Sequence, residues 1–358
     1  MMVRQVRSAM HTTTKMLAIV LAVATASGAM AAENGLQRYS PGIGGSDMTS
    51  PLVPGWYVQM PMVSYHASKV KGDDGKQATN AIPGAPAQYR AAVGIDADTV
   101  ALQPRVTYLG TNHFLGANVG FTAMLPMVKR KGTFTLTVPS AFESAYPGTQ
   151  ATLSGYAQNY MNGSVDGLGD IEVSPILHWE IGDHQAVTMA PTLVLPTGDY
   201  VADRRLNPGY GNFFTFRPSV QYAFIGDGWD VGARFVLSFN TRNKDTGYQS
   251  GNIANVDWQA MKFVSDDVRV GLQGYFVRQY TKDSQDVSYL ATLNPLQQKL
   301  RGKEIVNGNK MSVNGVGPAV GWLKNGGEML IEGKFLKEFD ARNRTEGRAL
   351  WLTVSKPL

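Results

Sequence analysis

Twelve segments of this chain alternate apolar and polar residues over lengths that an ordinary globular strand does not reach, and this leaves few folds open. They lie near 56–67, 98–109, 113–125, 169–181, 186–196, 212–225, 229–241, 253–264, 267–279, 309–323, 328–339 and 348–358. Most span about twice the usual ~5–6 residues of a strand, and crossing a bilayer at a tilt takes ~9–11. In DVGARFVLSFNTRN, residues 230–243, Val231, Ala233, Phe235, Leu237 and Phe239 share one face. Gly232, Arg234, Ser238 and Asn240 share the other, with Val236 the exception. Such a period of two is the same whether the apolar face meets a core or lipid.

The connections separate the two readings. LGTNH, GDHQ, GDG, SDD and KNGG are tight turns after the second, fourth, sixth, eighth and tenth segments. Between them run long polar stretches, 68–97, 126–168, 197–211, 242–252 and 280–308, and then the shorter 340–347. Short turns on one rim and long loops on the other are the plan of an outer-membrane barrel. The predicted fold is all-β: a transmembrane antiparallel up-and-down β-barrel of about twelve strands, with short periplasmic turns and long extracellular loops. TFTLTV, 133–138, also alternates; parity sets it above the membrane, and as a separate wall strand it would change the count. Trp56, Trp179, Trp229 and Trp322 fall beside the short turns, and Phe214, Phe239, Phe276 and Phe339 toward the other rim, as aromatic girdles would.

The N-terminus indicates the compartment. Arg4, Arg7 and Lys15 precede the apolar run MLAIVLAVATASG, and Ala29-Met30-Ala31 has the small-x-small form of a cleavage site. Residues 1–31 therefore read as a signal peptide, since the apolar run falls short of the ~20 residues a spanning helix needs. Residues 32–54 read as a leader or lumen plug, and 55–358 as the barrel. Losing three cations takes 33 Lys and Arg to 30 against 28 acids, so the mature chain is nearly neutral and nothing points to nucleic acid. There is no Cys, which suits an exported protein that does not rely on disulfides.

With the apolar face toward lipid, the polar face lines a lumen. Parity places there Arg105, Asn118, Glu172, His178, Arg217, Gln221, Arg234, Asp257, Gln259, Arg269, Gln273, Glu332 and Lys334. The inverse assignment would put several charges against hydrocarbon, at ~2–4 kcal/mol for each mid-membrane Arg or Lys. Pairing across strands is the plain role for each of these residues. A slight excess of cations, led by Arg105, Arg217, Arg234 and Arg269, suggests weak anion selectivity and solutes such as aromatic acids.

Three stretches also carry a resemblance: NGLQRYSPGIGGSDMTSPLVPGWY, then APTLVLPTGDY with NPGYGNFFTFRPSVQYAF, then KEFDARNRTEGRALWLTVSKPL. Over nearly the whole mature chain the sequence resembles the MetA-pathway of phenol degradation (SphA-like) family of outer-membrane proteins. The resemblance implies a barrel associated with the breakdown of aromatic compounds and with entry of hydrophobic solutes. One departure is the end, Lys356-Pro357-Leu358, where such barrels usually close on Phe. Pro196-Thr197-Gly198-Asp199 reads as the end of a strand launching an external loop. In the leader, Leu36, Tyr39 and Ile43 would be exposed apolar groups on a mobile tail, which favours the plug.

No catalytic signal accompanies this pattern. His66, His113, His178 and His184 have no metal-ligand spacing, and no nucleophile elbow or phosphate loop is present. Asp73-Asp74-Gly75 and Asp166 to Asp170 lack the ligand series of calcium loops. Lys129-Arg130-Lys131 and Arg204-Arg205 lie on the outer rim, as solvated charge or as contacts to lipopolysaccharide. The expected function is passive uptake of small hydrophobic or aromatic compounds, with no cofactor or metal. The expected partners are outer-membrane lipid and lipopolysaccharide, the outer-membrane assembly machinery and the solute. The alternatives are a structural or adhesive barrel acting through its loops, and a lipid-modifying enzyme.

Overall fold

The structure, a computed structural model, describes residues 37–49, 52–82, 85–158, 162–202, 204–292 and 310–358; residues 1–36, with the signal-peptide reading, lie outside them. Its strands are β1 (Gly55–Lys71), β2 (Thr79–Ala81), β3 (Arg90–Leu102), β4 (Arg105–Phe114), β5 (Ala117–Met124), β6 (Met127–Thr137), β7 (Gly163–Leu168), β8 (Glu172–Ile181) and β9 (Gln185–Val194). They continue as β10 (Thr215–Gly226), β11 (Trp229–Asn240), β12 (Tyr248–Gln249), β13 (Ile253–Phe263), β14 (Val268–Gln279), β15 (Ser284–Gln285), β16 (Ser312–Lys324), β17 (Met329–Arg342) and β18 (Arg344–Pro357). Short helices α1 (Ser140–Ala145), α2 (Thr149–Tyr156) and α3 (Val287–Thr292) lie in the long connections.

Neighbouring strands pair antiparallel around the sheet, and β18 pairs with β1 from Tyr57↔Pro357 to Lys71↔Arg344, so the wall closes on itself. It has twelve wall positions, because β3 continues into β4, β5 into β6, and β7 into β8. Closure leaves every wall strand a partner on both sides at membrane depth, which hydrocarbon requires because it offers no hydrogen bonds.

The pattern faces as parity predicted. On β14, Val270, Leu272 and Phe276 are exposed, Leu272 by 51%, while Arg269 is 1% exposed. Trp56, Trp229 and Trp322 are exposed at the short-turn rim. Two expectations change in detail. The first tight turn is Leu115–Gly116, with φ of 50° and 78°, rather than LGTNH, which is strand with a bulge between Leu109 and His113. Both residues being left-handed fits the two-residue hairpin that matches strand twist. Strands also run further outward than expected, so much of 68–97 is ladder: β1 reaches Lys71 and β3 begins at Arg90.

TFTLTV belongs to the wall without adding to it. Its residues 133–137 are the upper part of β6, paired with β3 on one side, with Val138 just past the strand's end, and the lower part of β6 pairs with β7 on the other. Here the sheet rises above the membrane and, with β2, α1 and α2, encloses a second apolar core that includes Val70, Ile82, Val93, Phe134, Leu136, Phe142 and Leu153.

The three in-line strand pairs break at one level, at Gln103–Pro104, Leu125–Pro126 and Gly169–Ile171. Proline supplies no ladder N–H, yet the wall stays joined there. Gln103 N donates to Pro61 O (2.8 Å), Leu125 N to Pro104 O (3.1 Å), Gly169 N to Pro126 O (2.7 Å) and Leu195 N to Ile171 O (2.8 Å). Above the breaks, the second edge of β7 is met by the loop after β9.

Candidate functional site: the barrel interior

Residues 37–49 run through the middle of the barrel, bonded to the wall along nearly their whole length. Arg38 donates to Gly211 O (2.8 Å) and Phe213 O, stacks over the Phe213 ring (3.9 Å) and pairs with Asp170 (3.1 Å). Tyr39 donates to Asp257 Oδ2 at 2.6 Å, and the amides of Gly42 and Gly44 donate to the same carboxylate at 3.0 and 2.8 Å. Ser46 bonds Glu332 through its amide (3.0 Å) and hydroxyl. Lys334 Nζ donates to Gly44 O (2.6 Å), Gln221 to Met48 O (2.6 Å) and Gln259 to Thr49 Oγ1 (2.9 Å). Asp47 lies between two guanidiniums, 3.0 Å from Arg234 and 3.5 Å from Arg105. Glycine lets this backbone approach closely: a side chain at Gly45 would collide with Glu332, Gln273 and Lys334.

Of the thirteen residues that sequence parity turned inward, eleven meet this segment or belong to the network around it. Arg217 donates to Arg38 O (3.0 Å) and pairs with Glu172. Gln273 links Gln259 (3.2 Å) to Glu332 (2.8 Å), and Arg269 pairs with Asp230. Asn118 and His178 stand apart: they are register partners on β5 and β8, Asn118 bonding Gly110 O (3.1 Å) and His178 Nδ1 lying 2.8 Å from Thr188 Oγ1.

The four arginines do not form the unpaired cluster that weak anion selectivity would need. Each faces a carboxylate: Arg105 and Arg234 share Asp47, Arg217 has Glu172 and Arg269 has Asp230. Buried charge is tolerable only when paired and hydrogen-bonded. Asp47 and Asp230 were missed as partners because one lies in the leader and the other at the edge of a turn. The alternation of Asp230 with Gly232 and Arg234 was the available signal.

A cavity of about 540 Å³ lies beside the segment and reaches the short-turn rim. Thr107, Thr122, Met124, Ile176, Thr188 and Ala190 form one wall; Leu52, Val53, Phe263 and Leu330 line its outlet. Tyr39, Asp47, Arg105, Glu172, Arg217 and Arg234 close it at the segment. On the long-loop side a space of about 60 Å³ is lined by Arg38, Val63, Ala101, Pro126, Val128, Arg130 and Tyr210. Glu172 borders both spaces, so its pair with Arg217 is part of the partition.

The P-T-G-D-Y motif sits where the wall is weakest. Leu168 N donates to Asp199 Oδ2 and Asp199 N to Leu168 O, both at 2.8 Å, so Asp199 substitutes for a strand along β7. Thr197 Oγ1 accepts from Ile171 N (2.9 Å), and Asp170 accepts from Gly198 N (2.9 Å) and Tyr210 N (3.2 Å). A Cβ on Gly198 would lie 2.8 Å from the backbones of Gly169 and Gly209. The motif therefore launches a loop and also closes the wall. Of the rim basic groups, Lys129 and Lys131 face outward, whereas Arg130 turns inward to Asn207 O and the Tyr210 ring.

The sequence profile of the MetA-pathway of phenol degradation family matches residues 75–354. No curated protein matches the chain. The crystal structure of an outer membrane channel from Pseudomonas putida F1 is similar in fold, with a TM-score of 0.62 at 11% identity, covering 86% of this chain and 97% of that one. The β domain of the Bordetella autotransporter BrkA gives 0.45 at 8% identity over 85% and 100% of the two chains. The CymD monoaromatic hydrocarbon channel gives 0.40 at 10% identity over 90% and 95%.

Proposed function

The chain belongs to the MetA-pathway of phenol degradation family, and from its closed barrel we propose a channel of the bacterial outer membrane that admits small hydrophobic compounds. The observation that carries this reading is the cavity of about 540 Å³, within the range of ~300–1,000 Å³ that suits small ligands. Its walls carry many aliphatic and hydroxyl groups, and the charged side chains that border it, Asp47, Arg105, Glu172, Arg217, Arg234 and Arg269, are each already paired. A neutral aromatic solute loses little on entering such a space. An aromatic acid would have to compete with Asp47, Glu172 or Asp230 for an arginine already engaged, so uncharged compounds fit better than acids. The P. putida protein, a channel by its description, supports the reading through fold alone.

In this proposal residues 37–49 act as a plug that passage must displace, and the thirteen inward residues are the channel lining. Residues 1–31 direct export, and the outer-membrane assembly machinery inserts the barrel. The test uses the full mature chain in liposomes. Uptake of a neutral monoaromatic compound should exceed that of benzoate and of glucose, and deletion of residues 33–54 should raise single-channel conductance severalfold. Equal permeation of all three solutes, or unchanged conductance in a correctly folded deletion, would overturn the reading.

A further inference from the structure

At the outer edge of the apolar band, among the aromatic residues, the outward face of the wall is not uniform in charge. The outward residues of β17 run Phe335, Lys337, Phe339, and those of β18 run Arg348, Leu350, Leu352. Register sets Lys337 opposite Arg348 and Phe335 opposite Leu350, and directly opposed strand residues lie ~5 Å apart. On β14 the outward series Leu272, Phe276, Arg278 ends in a third cation, and β16 carries the face across, with Asn314 opposite both Phe276 and Phe339. Three cations and three phenylalanines thus share one face of four adjacent strands.

These charges are not neutralised by their neighbours. Among the described residues, none of the ion pairs includes Arg278, Lys337 or Arg348. Arg278 is held by Val277 O (2.7 Å), Val313 O (3.1 Å) and Asn314 Oδ1 (2.7 Å), which fix the guanidinium without cancelling it. The nearby acids are occupied or lie elsewhere. Glu338 points into the barrel toward Arg344, and Glu346 is taken by Lys69 and Lys71. His66, opposite Arg348 on β1, bonds Asp98 and lies 3.9 Å from Asp96, which sets it between Arg348 and both acids of β3, and Asp340 lies beyond Phe339 near the hairpin turn. Among the described residues Lys129 and Lys131 are in no ion pair either, but register places Asp166 and Asp98 directly beside them, whereas Lys337 and Arg348 stand beside each other.

The patch is on the long-loop half of the barrel, which faces outward in an outer-membrane barrel. Immediately below Lys337 and Arg348 stand Phe335, 41% exposed, and Leu350, 57% exposed. A pair of uncompensated cations directly above an apolar cushion complements a lipid whose phosphates sit directly above its acyl chains. We propose that Lys337 and Arg348, extended by Arg278, form a docking site for the phosphorylated headgroup of lipopolysaccharide, with its acyl chains on Phe335 and Leu350. The site lies on the outside of the wall, so it is independent of what the lumen carries.

The test titrates the full chain, purified from membranes and delipidated in detergent, with lipopolysaccharide while following affinity by thermophoresis. With each basic group near an anionic surface contributing on the order of 1 kcal/mol, K337E/R348E should weaken binding roughly tenfold or more. The conservative K337R/R348K should stay within about twofold, and K129E/K131E, already flanked by acids, within about threefold. Dephosphorylated lipopolysaccharide should bind the unaltered chain no better than the intact lipid binds K337E/R348E. Folding of each variant is checked by heat-modifiable gel mobility, and K337A/R348A supplies the reading if charge reversal blocks assembly. Unchanged affinity in the folded variants, an equal loss in K129E/K131E, undiminished binding of the dephosphorylated lipid, or equal competition by phosphatidylglycerol would each overturn the site.

Discussion

The barrel wall and the cap above it use the same alternation with opposite sense, and β6 passes from one to the other. At its foot Met127 faces out and Arg130 faces in; Lys129 and Lys131, also outward, mark the crossing into water, and in its upper part Phe134 and Leu136 face in while Thr133, Thr135 and Thr137 face out. At membrane depth the apolar side meets lipid, and the polar interior is satisfied by residues 37–49 and by cross-strand pairs. Above it the outside is water, so the apolar side turns inward against α1 and α2. The period belongs to the strand; its sense belongs to the solvent.

The cap should give the largest response to truncation of a buried side chain. Phe134→Ala or Phe142→Ala should each cost the cap about 3–5 kcal/mol, read as lost hydrogen-exchange protection over 127–157 with the barrel's heat-modifiable mobility retained. If the barrel unfolds together with the cap, the two regions are one cooperative unit and the comparison fails.

Charge on the outward face should separate the regions next. Leu272→Arg puts a charge against lipid and should cost ~2–4 kcal/mol, whereas Thr135→Arg, outward but in water, should stay within ~0.5 kcal/mol. Urea titrations of folding into vesicles measure both, and similar costs at the two sites would place the membrane boundary wrongly.

A smaller effect is expected where the leader stands in for a core. Asp47→Ala removes the acceptor that Arg105 and Arg234 share. Since hydrogen bonds to charged groups contribute ~1.5–3 kcal/mol, openings of the proposed channel should become roughly tenfold more frequent, and Asp47→Asn should have a lesser effect. If neither variant alters opening, these contacts do not hold the segment. The smallest change is Thr133→Val, outward on the cap, expected within ~0.5 kcal/mol.

The inward residues were legible because a strand's period of two assigns each position to a side from its neighbours alone. Arg234, Asp257 and Glu332 needed no tertiary information to be set opposite Phe235, Val256 and Ile331. Their partners were not legible in the same way. Asp47 lies in a Gly- and Pro-rich leader without periodicity, and its meeting with Arg105 and Arg234 spans 58 and 187 residues of chain. Asp199 read as part of a turn, because nothing local announces that β7, about thirty residues earlier, would lack a strand along one edge.

By itself the sequence determined the class of fold, the number of wall positions and the face each wall residue presents, since these follow from segment length, period and the alternation of short and long connections. Only the tertiary structure decided that residues 37–49 occupy the interior, that each lumen arginine has a carboxylate, and that Arg278, Lys337 and Arg348 gather on one face of the outer rim. Those outcomes depend on which strands become neighbours when the sheet closes and on the register between them. Closure brings β18 beside β1 across nearly the whole chain, and no local pattern specifies such contacts.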